Sequence, residues 1–543
     1  MRMAHDPLQP PKGESMFGWL KWGKPAHPMA DPEHVSDLIA SLPSSDPARA
    51  LESIAGWLDT VTNARVLQLP ERWEAVNMLD QSAVGRRRKL AQDYVAAAHL
   101  QKTDEERLWK ASFEFWKAAA AAYVRCIENA RPEGAAKALD QDVPALIARR
   151  ALRASGLQLK WVLLRHGQAS QQIWRDLGIA YLFAENHGSA EQRSQLYAQE
   201  PGQSSAREEL LRALMLATAS TDNLERIRLH LAERVIAYFS GSLALREAPG
   251  PDCPFSFDLV GGVPPARAGK QTAVHGMMRF FGAGAAEQEL AGLARDIIAR
   301  DAIPGEVNLG GSFNQESVLA VLAHLQRVWD STPPARRAER TERATRISVV
   351  PGLPNVLRCL EMMANGVTVD PKNFAEQEIW TVFDRSDGGY GAVVPEERGS
   401  FLFDPMTGLR AGSGDWLTIG TLLALREEQG AAWSIGVIRR VTFDASGHRR
   451  VGIQLLPGAP LLVRLAPASG ARAGETERRR SAVLLSAAPE ESAEVLVVMR
   501  AGHYMAKQSL SVQLNDVSYI LQPAGLIEGG EDFDCGHFKM VRT

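Results

Sequence analysis

The chain has 543 residues, 45% of them apolar and 23% charged, with a formal charge of −3. That length gives room for three or four domains, each with its own core. The near-neutral charge excludes a global pull toward nucleic acid or anionic membrane, and no run of about eighteen apolar residues could span a bilayer.

Residues 1–31 are rich in Pro and Gly and read as a flexible leader, with a possible functional start at Met16-Phe17-Gly18-Trp19-Leu20. The amino terminus lacks the charged-then-apolar-then-small pattern of a secretory signal, so a cytoplasmic location is expected. Cys126, Cys253, Cys359 and Cys535 are scattered, with no spacing that suggests a disulfide framework or a zinc site.

From about 32 to 245 the apolar spacing is helical. Leu108–Ile127 runs without proline or glycine, and its residues Phe113, Trp116, Ala120, Tyr123 and Ile127 line one face. Gln158–Asn186 and Ala206–Leu245 read as further helical stretches, with turns at Pro132-Glu133-Gly134, His187-Gly188 and Pro201-Gly202. Long helices with short connections predict a bundle or a solenoid of helix pairs, without a fixed-period repeat. The Pro- and Gly-rich segment 246–272 is a possible subdivision, and helices are predicted near 284–301 and 315–330. Ser331-Thr332-Pro333-Pro334 closes the helical domain, 32–330.

Beyond that point the period becomes alternating. Arg346–Val350, Trp416–Ile419, Leu422–Leu425, Trp433–Phe443, Val451–Leu456 and Leu461–Leu465 read as strands of a small antiparallel barrel over 331–467. A Gly- and Arg-rich linker, Ala468–Arg480, leads into a β module over 468–543. That module looks too short for a comfortable core of its own and is expected to pack on the barrel. The fold class is therefore multidomain α+β: an all-α N-terminal part, a β-barrel, and a small C-terminal β extension.

Two segments carry chemistry. Asp384-Arg385-Ser386-Asp387-Gly388-Gly389 has the form D-x-S-x-x-G, and Arg336-Arg337-Ala338-Glu339-Arg340 contains Arg-x-x-x-Arg upstream of the first strand. With Val451-Gly452-Ile453 near the end of the strand series and Trp433–Arg440 before it, this order resembles the PilZ family of cyclic di-GMP receptors. The resemblance covers about 335–465 and implies a dinucleotide ligand rather than a reaction. It implies ligand contacts from Arg336, Arg337, Arg340, Asp384, Ser386, Gly388 and Gly389, and a bacterial source.

The residue types suit that ligand. Arginine's planar fork matches phosphate oxygens and guanine O6/N7, and its face stacks on a base. A carboxylate at 384 can accept from the guanine N1–H and N2–H2 edge, Ser386 can donate or accept, and glycines permit close backbone approach. The gap from Arg340 to Asp384 exceeds the family's usual one, so 351–379 is expected to hold an insertion. Arg343 or Arg346 could then stand in for Arg336 or Arg337.

Other signals are discounted. A second D-x-S-x-x-G at Asp80–Gly85 has no upstream Arg-x-x-x-Arg and lies in helical sequence, and Arg149–Arg153 repeats the arginine spacing elsewhere. Gly261–Lys270 is similar to a phosphate loop but has the wrong glycine spacing. Asp532–His537 reads as an exposed turn rather than a metal site, and Arg86–Lys89 and Arg478–Arg480 as solvated charge rather than DNA or RNA contacts. No catalytic constellation, metal site or cofactor is expected. The sequence thus predicts a non-enzymatic effector that couples the dinucleotide to a protein partner through its helical domain. The alternative is a scaffold or adaptor with a degenerate barrel that binds no nucleotide.

Overall fold

The computed structural model describes residues 27–96, 102–132, 134–332, 341–370, 372–395, 402–404, 409–411, 417–428, 430, 432–444, 447–468, 480–486, 494–515, 517–530 and 532–543. Arg336, Arg337 and Arg340 lie outside these residues, as does most of the leader.

The N-terminal half begins with α1 (Pro32–Ala40), α2 (Pro47–Asn63), α3 (Leu69–Ala96) and α4 (Lys102–Ala130). It continues with α5 (Val143–Leu163), α6 (Gln171–Asn186), α7 (Ala206–Ala217) and α8 (Arg226–Tyr238). Local chemistry sets several starts. Asp31 and Asp46 cap α1 and α2 ahead of a first-turn proline, and Ser205 and Glu208 form a capping box on α7.

Two stretches that read as single helical runs are broken. α5 ends at Leu163 and α6 starts at Gln171, with His166 between them at φ 54°. α7 and α8 are separated by a turn in which Ser220 sits at φ 47°. Non-glycine residues in the left-handed region leave little trace in sequence, which is why the periodicity ran across both breaks.

The Pro- and Gly-rich segment is not an empty linker. Strands β1 (Ala244–Arg246), β2 (Phe255–Asp258), β3 (Ala266–Arg267) and β4 (Met278–Gly282) form a sheet in the order β1-β4-β2-β3. Phe255, Phe257, Leu259 and Phe281 join the same continuous core as the helices. α9 (Ala286–Arg300) and α10 (Gln315–Trp329) follow, matching the two expected helices, and complete that core.

The C-terminal half is two closed six-stranded antiparallel barrels. The first contains β5 (Thr341–Pro351), β6 (Glu378–Ser386) and β7 (Gly389–Val393). After a short hairpin of β8 (Leu402–Asp404) and β9 (Leu409–Ala411) come β10 (Leu422–Glu427), β11 (Ser434–Phe443) and β12 (Arg449–Leu455). The second contains β13 (Ala459–Pro467), β14 (Arg480–Ser486), β15 (Glu494–Arg500), β16 (Leu510–Leu514), β17 (Val517–Gly529) and β18 (Phe533–Arg542).

Counting strands within each barrel, both close in the order 1-2-3-6-5-4. The C-terminal module is therefore a second copy of the same topology rather than a small extension. It gains its sixth strand from Ala459–Pro467, expected in the first barrel, which pairs with β14 and β16. Closure removes exposed sheet edges and encloses a core of its own, with Val463, Val497, Leu521 and Phe538.

The expected strand at Trp416–Ile419 is not seen in its described part, 417–419. Thr418 N donates to Thr421 Oγ1 at 3.2 Å and Gly420 takes φ 90°, making a turn before β10. The insertion over 351–379 holds helix α11 (Leu353–Ala364), whose Val356, Cys359 and Leu360 share a core with Val483, Val498 and Phe533 of the second barrel. Asp532 Oδ2 accepts from Leu353 N at 2.5 Å, so the second barrel caps the helix inserted in the first.

Candidate functional site

The D-x-S-x-x-G segment forms the end of β6, a tight turn, and the start of β7. Partners in register share a face of the sheet, and Val382, Tyr390, Ala392, Val451 and Ile453 face the barrel core. The alternate residues therefore face outward. One outward row crosses four strands: Asp384 opposite Gly391, Gly391 opposite Gly452, and Gly452 opposite Arg440. The next row runs Arg346, Thr381, Val393, Arg450 and Thr442.

Three glycines shape this face. A Cβ on Gly389 would lie 1.9 Å from the Ile453 carbonyl oxygen, so β7 approaches β12 as only glycine allows. A Cβ on Gly391 would lie 2.2 Å from Asp384 Oδ1 and 2.7 Å from the Phe383 ring, so both side chains lie across Gly391. They reach it because of an irregularity between Val382 and Asp384 that puts Phe383 out of register. Gly452 adds no side chain between Gly391 and Arg440. The result is a low shelf with Asp384 at one side and Arg440 at the other.

Around the turn, Ser386 Oγ lies 3.5 Å from the Gly389 carbonyl, and Leu455 N donates to the Gly388 carbonyl at 2.9 Å. Arg385 pairs with Glu427 at 2.6 Å, and Tyr390 OH donates to the same carboxylate at 2.8 Å. Burial first, and that hydrogen bond second, push the Tyr390 phenol up to about 12. Arg385 and Tyr390 thus close the barrel end beside the shelf. On the second row, the Arg450 guanidinium stands 5.0 Å over the Phe383 ring, and its Nε lies 3.3 Å from Asp444 Oδ2.

The fold brings Asp384, Ser386, Gly388 and Gly389 together with Gly452. It also supplies arginines that sequence reasoning did not count. Arg440 and Arg450 face outward over the shelf, and Arg346, weighed as a stand-in, lies on the same face near Glu428 at 3.9 Å. Strand alternation around Val451-Gly452-Ile453 was the available signal, since it sets Arg450 and Gly452 on one face.

The discounted segments have structural roles. The copy at Asp80–Gly85 lies within α3, where buried Asp80 accepts from Arg87 at 2.7 Å, Tyr123 at 2.5 Å and Tyr197 at 2.8 Å. Arg149 and Arg150 are buried and donate to backbone carbonyls, while Arg153 makes a bidentate pair with Glu209. Among the described residues no group of metal-ligating side chains is assembled, and no helix is long and apolar enough to cross a membrane.

Residues 33–250 match the family model described as cyclic-di-GMP receptor FimW, N-terminal domain. The match lies on the helices and the start of the small sheet, and it ends before either barrel. No curated protein matches the chain.

Proposed function

We propose that the protein is a cyclic di-GMP receptor that binds the dinucleotide on the outer face of its first barrel. The observation that carries this reading is the row Asp384–Gly391–Gly452–Arg440, which sets the D-x-S-x-x-G carboxylate and the strand glycine on one surface with arginines beside them. A guanine edge meets an acceptor at Asp384 and Ser386, the glycines admit a flat base, and the two phosphates meet guanidinium forks. Arg336, Arg337 and Arg340, which precede β5 in the sequence, complete the phosphate contacts in this reading. Support comes independently from the helical half, whose segment 33–250 matches the N-terminal domain of a cyclic di-GMP receptor and lies wholly outside the barrel residues named here.

The second part of the proposal is that the helical half presents the signal to a protein partner, with the whole acting in the cytoplasm as an effector and not as a catalyst.

Calorimetry with cyclic di-GMP tests the site on wild type, an Asp384→Ala/Ser386→Ala double variant and an Arg336→Ala/Arg340→Ala double variant. Each double variant is expected to lose about tenfold or more, since each removes charge-assisted or paired hydrogen bonds. Unchanged affinity in one of them would remove those residues from the site. Absence of binding by wild type would leave the scaffold reading in its place.

A further inference from the structure

We infer that Arg440 is a ligand residue held in reserve by the helical half, and that the dinucleotide phosphate competes with Asp222 for it. The inference rests on the barrel face being the binding site, and it assigns how that site reaches the rest of the protein.

Two adjacent arginines on β11 go to different bodies. The register slips between Ile438 and Arg440, leaving Arg439 as a bulge residue, so the neighbouring side chains diverge. Arg439 donates to Gln454 Oε1 at 2.8 Å and makes a bidentate pair with Glu528 of the second barrel at 2.5 and 2.7 Å. It is committed to holding the barrels together. Arg440 faces Gly452 across the shelf and gives its Nε to Asp222 Oδ2 of the helical half. Its side chain keeps 58% of its surface exposed, while Asp222 keeps 19%. The arginine is thus the accessible member of the pair.

Asp222 cannot follow if Arg440 turns away. It sits in a short 3-10 turn, Thr221–Asn223, entered through Ser220 in the left-handed region. That turn is pinned from below, with Thr221 buried and the His324 Nε2 2.7 Å from the Ala219 carbonyl. The same seam contains Gln168, whose Nε2 donates to the Phe443 carbonyl at 2.6 Å, and Glu225, whose Oε1 lies 3.5 Å from where a Cβ on Gly420 would be.

A single bond from an exposed guanidinium is a weaker hold on arginine than a phosphate, which offers it two charge-assisted hydrogen bonds in one plane. The bound dinucleotide takes the guanidinium, the carboxylate at 222 loses its counter-ion, and the seam between the helices and the first barrel loosens. Linkage makes this reciprocal: whatever opens the seam strengthens ligand binding.

The test uses the full chain, with cyclic di-GMP titrated by calorimetry and hydrogen exchange followed over 219–225. Asp222→Asn frees Arg440 and is expected to bind about two- to fivefold tighter than wild type, the range of an ion pair whose arginine is open to solvent. Its 219–225 segment should exchange faster without ligand, as wild type does only with ligand, and Asp222→Glu should restore wild-type behaviour in both readouts. Arg440→Gln should bind about tenfold or more weakly and exchange fast at 219–225 whether or not ligand is present. Equal affinity of wild type and Asp222→Asn, or wild-type exchange at 219–225 that ignores saturating ligand, would overturn the relay and leave the receptor reading intact. No binding by wild type would overturn both.

Discussion

Asp176 on α6 is buried, and its Oδ1 accepts a hydrogen bond from Gln172 Nε2 at 2.7 Å. Burial is the larger influence and raises its carboxyl to about 6 from an ordinary value of 3.8. A carboxyl raised on folding contributes stability that is present below its unfolded value and lost as pH rises through the folded one. Asp176→Asn is therefore expected to stabilise the protein at pH 7 by about 1–3 kcal/mol and to be neutral near pH 3.5. Denaturant melts at the two pH values check this, and a variant less stable at pH 7 would contradict it. Asp80 and Asp384 make a contrasting pair, since each opens a D-x-S-x-x-G segment. Asp80→Ala takes from the buried Arg87 one of its two carboxylates, leaving Glu200 at 3.1 Å, and removes an acceptor from Tyr123 and Tyr197, at a cost of about 3–5 kcal/mol. Asp384 is half-buried on the outer face of the barrel, and Asp384→Ala is expected to lower ligand affinity while leaving the melting midpoint within about 2–4 °C of wild type.

The β6–β7 turn separates two adjacent glycines by the space around them. A Cβ on Gly389 meets the Ile453 carbonyl, whereas one on Gly388 meets nothing within 4 Å. Gly389→Ala should force β7 away from β12 and cost about 1–3 kcal/mol, while Gly388→Ala should change stability by about 0.5 kcal/mol or less. Equal melting midpoints for the two variants would show that the strands do not approach this closely. The turn was readable in advance because glycine admits backbone conformations that other residues avoid, and aspartate and serine hydrogen-bond to nearby backbone. The same held for α7, where Ser205 and Glu208 write a capping box, and for α9 and α10, where amphipathic spacing lies between clear breakers. Elements set by distant pairing were not readable. Ala459–Pro467 has the alternation of either barrel, and only its hydrogen bonds to β14 and β16 assign it to the second. Arg440 and Asp222 stand 218 residues apart, so no local pattern links them. The loops that meet the first barrel were hidden too, because His166 and Ser220 adopt left-handed conformations without glycine.

At the scale of the molecule, the two halves differ in how they bury titratable groups. The barrels are tied together by apolar contact through α11 and by the exposed-to-half-buried Arg439–Glu528 pair. The helical half instead buries histidines in their neutral form. Burial lowers His166 to about 4, with Arg449 and Arg226 adding to the effect. Burial, and then Lys160 at 3.0 Å, lowers His230 to about 3, and burial also lowers His324. A histidine depressed on folding contributes stability that is present above its unfolded value of 6.5 and lost as pH falls toward the folded value. Between pH 7 and 5, His166 and His230 should each remove about 2 kcal/mol, and Asp176 should return about 1 kcal/mol by becoming protonated. The helical half is thus expected to lose about 2–3 kcal/mol over that interval, a large fraction of a typical domain's stability. Hydrogen exchange at pH 7 and pH 5, corrected for the intrinsic rates, checks this by comparing α5–α8 with the strands of both barrels. Protection should fall in the helices first, and His166→Asn should reduce the difference between the two pH values. Loss of protection in the barrels ahead of the helices would mean that the seam carrying Gln168, Asp222 and Glu225, and not the buried histidines, governs the acid response.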